Sequence, residues 1–220
     1  MSIEGKFRFQ MEDLPEQVLD LARAEIVIFK SVGNSDAFGV NVQLEAEART
    51  VMAPDPDYPE EPPIDYRIAP VFFTEWWDVA QGDLRSRGLD ALDGLGFEVD
   101  ATRADQAPYV QSPAAVYQDS YAGLNRGTLT LRHRGAGVYD AQARGETEFR
   151  WTFAVEAVAP LARVVFRAGL TDDARAPSDA VAQEFERHFD PALFAVEWLR
   201  RGSDEHFWYD YVATPLGSGQ

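Results

Sequence analysis

The sequence contains no cysteine, and that one absence removes disulfides, thiolate zinc sites and thiol nucleophiles together. Lysine is almost missing too: Lys6 and Lys30 are the only two, and the other bases are arginines. His133, His188 and His206 are the whole supply of imidazole. No apolar run approaches the roughly 20 residues that a membrane-spanning helix needs. The longest, around Phe153 to Phe166, is broken by Glu156, Pro160 and Arg163. The opening MSIEGKFRFQ has an acid at Glu4 and no apolar stretch behind a basic start, so it does not read as a signal peptide. There is no GxSxG, no P-loop, no HExxH and no dinucleotide fingerprint after a strand; GLGFEVD has glycines at the wrong spacing. The expectation is a soluble cytoplasmic protein with no catalytic residue, no metal and no cofactor to be named.

What is abundant is negative charge. The 220 residues hold 37 acids against 20 bases, a formal net charge of −17. Such a surplus repels phosphate backbones and anionic lipid headgroups over a Debye length of roughly 8 Å at physiological salt. Nucleic acid and membrane are therefore not expected partners, whereas a basic protein is. A solubilising coat is the plainer meaning of the same charge.

The length fits one domain, taken as residues 1–213 with 214–220 (PLGSGQ after Thr214) as a disordered tail. In Gly39 to Arg49, Val40, Val42, Leu44, Ala46 and Ala48 alternate with polar residues, a strand with one buried and one wet face. With Ala24 to Lys30 it forms a predicted hairpin around the turn residues VGNSD. Gly127 to Gly135 and Gly145 to Pro160 form a second, with Thr147, Phe149, Trp151, Phe153 and Val155 on the inner face. Further strands are expected at Phe7 to Gln10, Ile68 to Thr74, Arg163 to Ala168 and His206 to Val212.

Helices are predicted at Pro177 to Phe189, where Val181, Phe185 and Phe189 make an apolar stripe, and more weakly at Leu14 to Ala22 and Asp78 to Gly96. The stretch from Asp190 to Gly202 has helix signals at both ends and can equally run into a strand. The fold class is accordingly α+β: antiparallel hairpins in one sheet system with a few covering helices. A VAQ triplet at Val79 to Gln81 and again at Val181 to Gln183 also admits a two-module duplication, with half-repeats at about 24–100 and 127–213.

Three stretches carry candidate binding residues. PDPDYPEEPP, Pro54 to Pro63, is extended and acidic through Asp55, Asp57, Glu60 and Glu61. Ala104 to Gly127 is a long connection bearing Tyr109, Tyr117 and Tyr121. SDEHFWYDYV, Ser203 to Val212, places Asp204, His206, Trp208 and Asp210 on one side of a strand, an acid-flanked ring suited to a cationic group. The aromatic run Val71 to Asp78 adds Trp76 and Trp77. Glu184 and His188, four apart on a helix, have metal-ligand spacing with Asp204, Glu205 and His206 as possible companions, but that spacing is more common in ordinary surface pairs. Taken together these features point to a non-enzymatic acidic binding protein, an inhibitor or immunity-type neutraliser of a basic partner. The alternatives are a small-molecule protein whose 104–127 loop caps an aromatic cavity, with or without catalysis, and a structural or assembly subunit.

Overall fold

The computed structural model describes residues 3–11, 14–32, 36–53, 62–75, 77–101, 112–168, 176–204 and 206–217. Strands hold 64% of the chain and helix 9%, and eight strands close into an antiparallel barrel. The α+β expectation is thereby corrected: the protein is mostly β, with one α-helix among the described residues in place of several covering ones.

The elements are β1 (Gly5–Gln10), β2 (Gln17–Val32), β3 (Ala37–Ala46), β4 (Arg49–Ala53), β5 (Ile64–Ile68), β6 (Val71–Thr74), β7 (Asp78–Ala80), β8 (Gly96–Asp100), β9 (Ala114–Gln118), β10 (Ser120–Gly135), β11 (Val138–Thr147), β12 (Thr152–Ala168), α1 (Asp179–His188), β13 (Phe194–Gly202) and β14 (Phe207–Pro215). The ring runs β1, β2, β3, β6, β9, β10, β11, β12 and back to β1. Closure depends on β1, which lies antiparallel to both β2 and β12. It ends at Gly5, with φ 145°, where a Cβ would sit 2.3 Å from the Glu156 carbonyl oxygen. Beyond that point β2 and β12 meet directly as parallel neighbours, Val164 opposite Ile28. The two long strands thus leave the barrel together and build a second sheet in the order β13, β14, β12, β2, β3, β7.

An eight-stranded barrel has an interior just wide enough to be filled by side chains or to hold one small ligand. Here rings fill it: Phe7 meets Phe9 at 6.3 Å and Phe153 at 6.4 Å, and Phe72 meets Phe153 at 5.5 Å between centroids. The helix covers one face of the second sheet, with Phe185 edge-on to Phe166 at 5.5 Å and against Tyr211 at 5.4 Å. At this helix end of the barrel, the buried Tyr139 hydroxyl donates to Leu89 O (2.6 Å) and accepts from Leu92 N–H (3.3 Å), tying down the connection before β8. Burial pushes that phenol up to about 12.

Several sequence-based elements need correction. Leu14 to Ala22 is strand from Gln17 onward, because Leu19 and Leu21 point inward while Val18 and Asp20 point out. Asp78 to Gly96 is β7, one 3-10 turn at Gln81–Asp83 and further turns, consistent with its interrupting glycines. The Asp190 to Gly202 stretch takes the strand alternative: after a 3-10 turn at Pro191–Leu193 it runs into β13. The second hairpin is mispaired in the sequence reading: β10 pairs with β11, and β11 with β12. The chain turns between Thr147 and Trp151, with Arg150 at φ 61°, so Phe149 stands in the turn instead of on an inner face. The two VAQ triplets fall in different structures, one at the end of β7 and one inside α1. Thr214 and Pro215 belong to β14, and residues 218–220 lie outside the described residues.

Candidate functional site

The opposite end of the barrel, where the β4–β5 hairpin leaves it, carries the candidate site. Of the eight large apolar or aromatic side chains exposed among the described residues, six lie here: Val18, Met52, Ile64, Tyr117, Tyr121 and Phe149. The centre is made by β9 and β10, which reverse at Asp119 (φ 56°), a left-handed position that Asp tolerates. The reversal sets Tyr117 directly opposite Tyr121. They are 49% and 43% exposed, and Phe149, 47% exposed, stands in the next turn.

A buried glutamine fixes this geometry. Gln118 accepts from Ala69 N–H (2.6 Å) and donates to Arg67 O (3.0 Å) and Asp119 Oδ2 (2.8 Å), locking the β5–β6 corner to the β9–β10 turn. Tyr66 on β5 adds a hydroxyl bond to Asp119 at 3.4 Å. On the other side, Phe73 packs edge-on to Tyr121 at 6.2 Å, and the Tyr121 hydroxyl donates to Glu75 at 2.5 Å. Glu148 exchanges two bonds with Gly123: its N–H donates to the Gly123 carbonyl, and its carboxylate accepts the Gly123 N–H at 3.0 Å.

The electrostatics follow from what is missing. Among the described residues Glu75, Asp119 and Glu148 have no cationic partner. The Tyr121 phenol reports the resulting negative field: partial burial, its bond to Glu75 and the charges of Glu75 and Glu148 push it up to about 12. Tyr66 is raised as well, by burial and then by Asp119. Of these causes, the charges of Glu75 and Glu148 also favour a bound cation, whereas burial opposes charge of either sign; exposed tyrosine faces attract cations directly.

The decapeptide that drew attention in the sequence is built differently. Trp208, Asp210, Arg167 and Arg201 share the face of the second sheet that points away from α1. Arg167 grips Asp210 through two bonds of 2.7 and 3.1 Å, and its guanidinium lies 4.8 Å from the Trp208 ring and 5.2 Å from Phe29. Arg201 adds a contact to Asp210 at 3.5 Å. The chain's own arginine therefore occupies the place proposed for a foreign cation. The indole N–H of Trp208 is buried with no acceptor among the described residues. Asp204 is exposed and paired with Arg200 at 3.1 Å, and His206 is exposed.

Trp77 is buried, edge-on to Phe97 at 5.5 Å, and lines no surface. Trp76, Tyr109, Asp55, Asp57, Glu60, Glu61 and Glu205 lie outside the described residues. Glu184 and His188 do meet, at 3.0 Å. Beside them lies the buried Lys30, against the Phe38 ring at 4.7 Å. Burial opposes the charge of Glu184, but bonds from His188 and Arg187, with Lys30 nearby, outweigh it and hold the carboxyl below its ordinary range. Among the described residues no group of three potential ligands could hold a metal ion. No helix there is long and apolar enough to cross a membrane.

Of the site residues expected from sequence that lie among the described residues, Tyr117 and Tyr121 come together on the hairpin end and the others do not. Glu75, Asp119, Glu148 and Phe149 were missed. Asp119 between two tyrosine-bearing runs was the available signal; Phe149 was masked by reading one strand through a turn that has no glycine or proline in it. No family profile, curated protein or solved structure matches the chain, so function is read from these residues alone.

Proposed function

We propose that the chain is a binding protein that docks a basic protein partner on the Tyr117–Tyr121 face. The observation that carries it is the juxtaposition of two cross-strand, exposed tyrosines with three carboxylates that lack cationic partners among the described residues. Lysine or arginine side chains of the partner lie on the phenol faces, and Glu75, Asp119 and Glu148 supply the opposing charge. Charge complementarity acts mainly on the association rate, while the aromatic anchors set residence time. Nothing in this reading requires catalysis.

The test is calorimetric titration with a short peptide rich in arginine and lysine. A protein of charge −17 attracts any polycation, so the informative variant is one that keeps the charge. Tyr117→Ser/Tyr121→Ser does so, and should weaken binding about tenfold, as expected for two exposed cation–π contacts. Binding of the wild type should fade near 1 M salt, where the Debye length is about 3 Å. Equal affinity of wild type and the double variant, or indifference to salt, would refute the reading.

A further inference from the structure

β13 is the longest strand with a single neighbour: it pairs with β14 along its 9 residues and ends the second sheet. Among the described residues nothing pairs with the backbone of its outer edge. Alternate N–H and C=O groups therefore face solvent along a strand long enough to template another. Val196, the third of its 9 residues, is 44% exposed.

We propose that two copies of this chain associate through antiparallel β13–β13 pairing across a twofold axis at Leu199. Residues opposite one another in an antiparallel ladder both bond across it or both point away. A strand meeting its own copy must therefore pair residues of equal parity, which puts one residue on the axis. Centring on Glu197 or on Arg200 sets like charges against each other, and centring on Trp198 sets Glu197 against Leu199 and Val196 against Arg200. Centring on Leu199 sets Glu197 opposite Arg201 of the second copy and Trp198 opposite its Arg200, each twice by symmetry. The faces agree with this register. Leu199 and Arg201 share the side of Asp210 and Trp208, while Trp198 lies with Tyr211 on the helix side. One face thus gains two ion pairs, the other two cation–π contacts, and the axis an apolar pair. Two six-stranded sheets become one across the axis.

The test uses the full chain in sedimentation velocity over a concentration series. Wild type should show reversible dimer formation. Glu197→Arg should weaken it at least about tenfold, because two pairs turn repulsive, and so should Arg201→Glu. The double variant Glu197→Arg/Arg201→Glu recreates both pairs inverted and should restore dimerisation. Because the chain has no cysteine, single thiols report the register cleanly. Leu199→Cys should oxidise to a covalent dimer, whereas two Val196→Cys thiols, held roughly 20 Å apart in this register, should not. A monomer at every concentration, a dimer untouched by Glu197→Arg, or equal crosslinking at 196 and 199 would each overturn the proposal.

Discussion

Two regions of this molecule place exposed or half-buried rings beside carboxylates, and they differ in where the cation is. Around Trp208 the chain supplies it: Arg167 lies on the indole and closes both oxygens of Asp210, which is only 4% exposed. Around Tyr117 and Tyr121 no guanidinium or ammonium among the described residues reaches Glu75, Asp119 or Glu148. A ring flanked by acids is therefore a statement about composition only. Whether it is a recognition surface or an internal staple depends on partners that come from elsewhere in the chain. Buried, paired charge of the first kind holds β12 against β14; exposed, unpaired charge of the second kind is available to another molecule.

The largest effect that could break this comparison is on stability. Arg167→Ala strips the bidentate partner from a buried carboxylate and should lower the unfolding free energy by about 3 kcal/mol, read from urea denaturation. Arg201, at 3.5 Å from Asp210, tempers the loss without replacing two short bonds. Arg167→Leu/Asp210→Leu should recover most of it, since an apolar pair leaves no charge stranded. If Arg167→Ala costs less than about 1 kcal/mol, the Trp208 patch is not a staple and returns as a candidate recognition surface.

The contrast was out of reach of local sequence because Arg167 and Asp210 are separated by 43 residues and meet only through β12–β14 pairing. The same is true of the barrel. Alternation identified β3, whose inward residues Val40, Val42, Leu44 and Ala46 are all buried, because a half-buried strand writes its two faces into the sequence. β11 escaped notice: its inward residues beyond Tyr139 are Ala141, Ala143, Gly145 and Thr147, small side chains that give no apolar period but fit where large rings fill the centre. Closure escaped for another reason. It turns on the short β1 ending at Gly5, and nothing in a six-residue run of GKFRFQ announces two partners. At the site, the tyrosines were legible as types in an unusual connection. Their pairing was not, since it needs the left-handed turn at Asp119 and the Gln118 latch.

A middle-sized effect sharpens the comparison from the other side. Tyr117→Ser/Tyr121→Ser touches two exposed rings and no buried charge, so its unfolding free energy should stay within about 1 kcal/mol of wild type. Loss of affinity for a basic peptide without loss of stability separates this face from the Trp208 patch, where Arg167→Ala should do the reverse. A double serine variant as unstable as Arg167→Ala would mean that the tyrosines are structural.

The smallest effect lies in the titration of the phenols themselves. Tyr121 has an ordinary value of 10.0 and is pushed up to about 12 in the fold, as is Tyr139. With the folded value above the unfolded one, the protonated phenols contribute their stabilisation fully below pH 10. That contribution is lost as pH rises through about 12. Ultraviolet titration of phenolate should therefore show late-ionising tyrosines, and Tyr121→Phe should remove one of them. Burial, the largest cause of the Tyr121 shift, is left in place by Glu75→Gln, which removes the carboxylate's charge and weakens its hydrogen bond; the variant should therefore bring that ionisation part of the way earlier and leave Tyr139 late. Arg201→Gln, at the other patch, should leave both unmoved. If Glu75→Gln does not move the Tyr121 titration, the carboxylate is not acting on that ring, and the negative field offered to a cation at this face loses its main source.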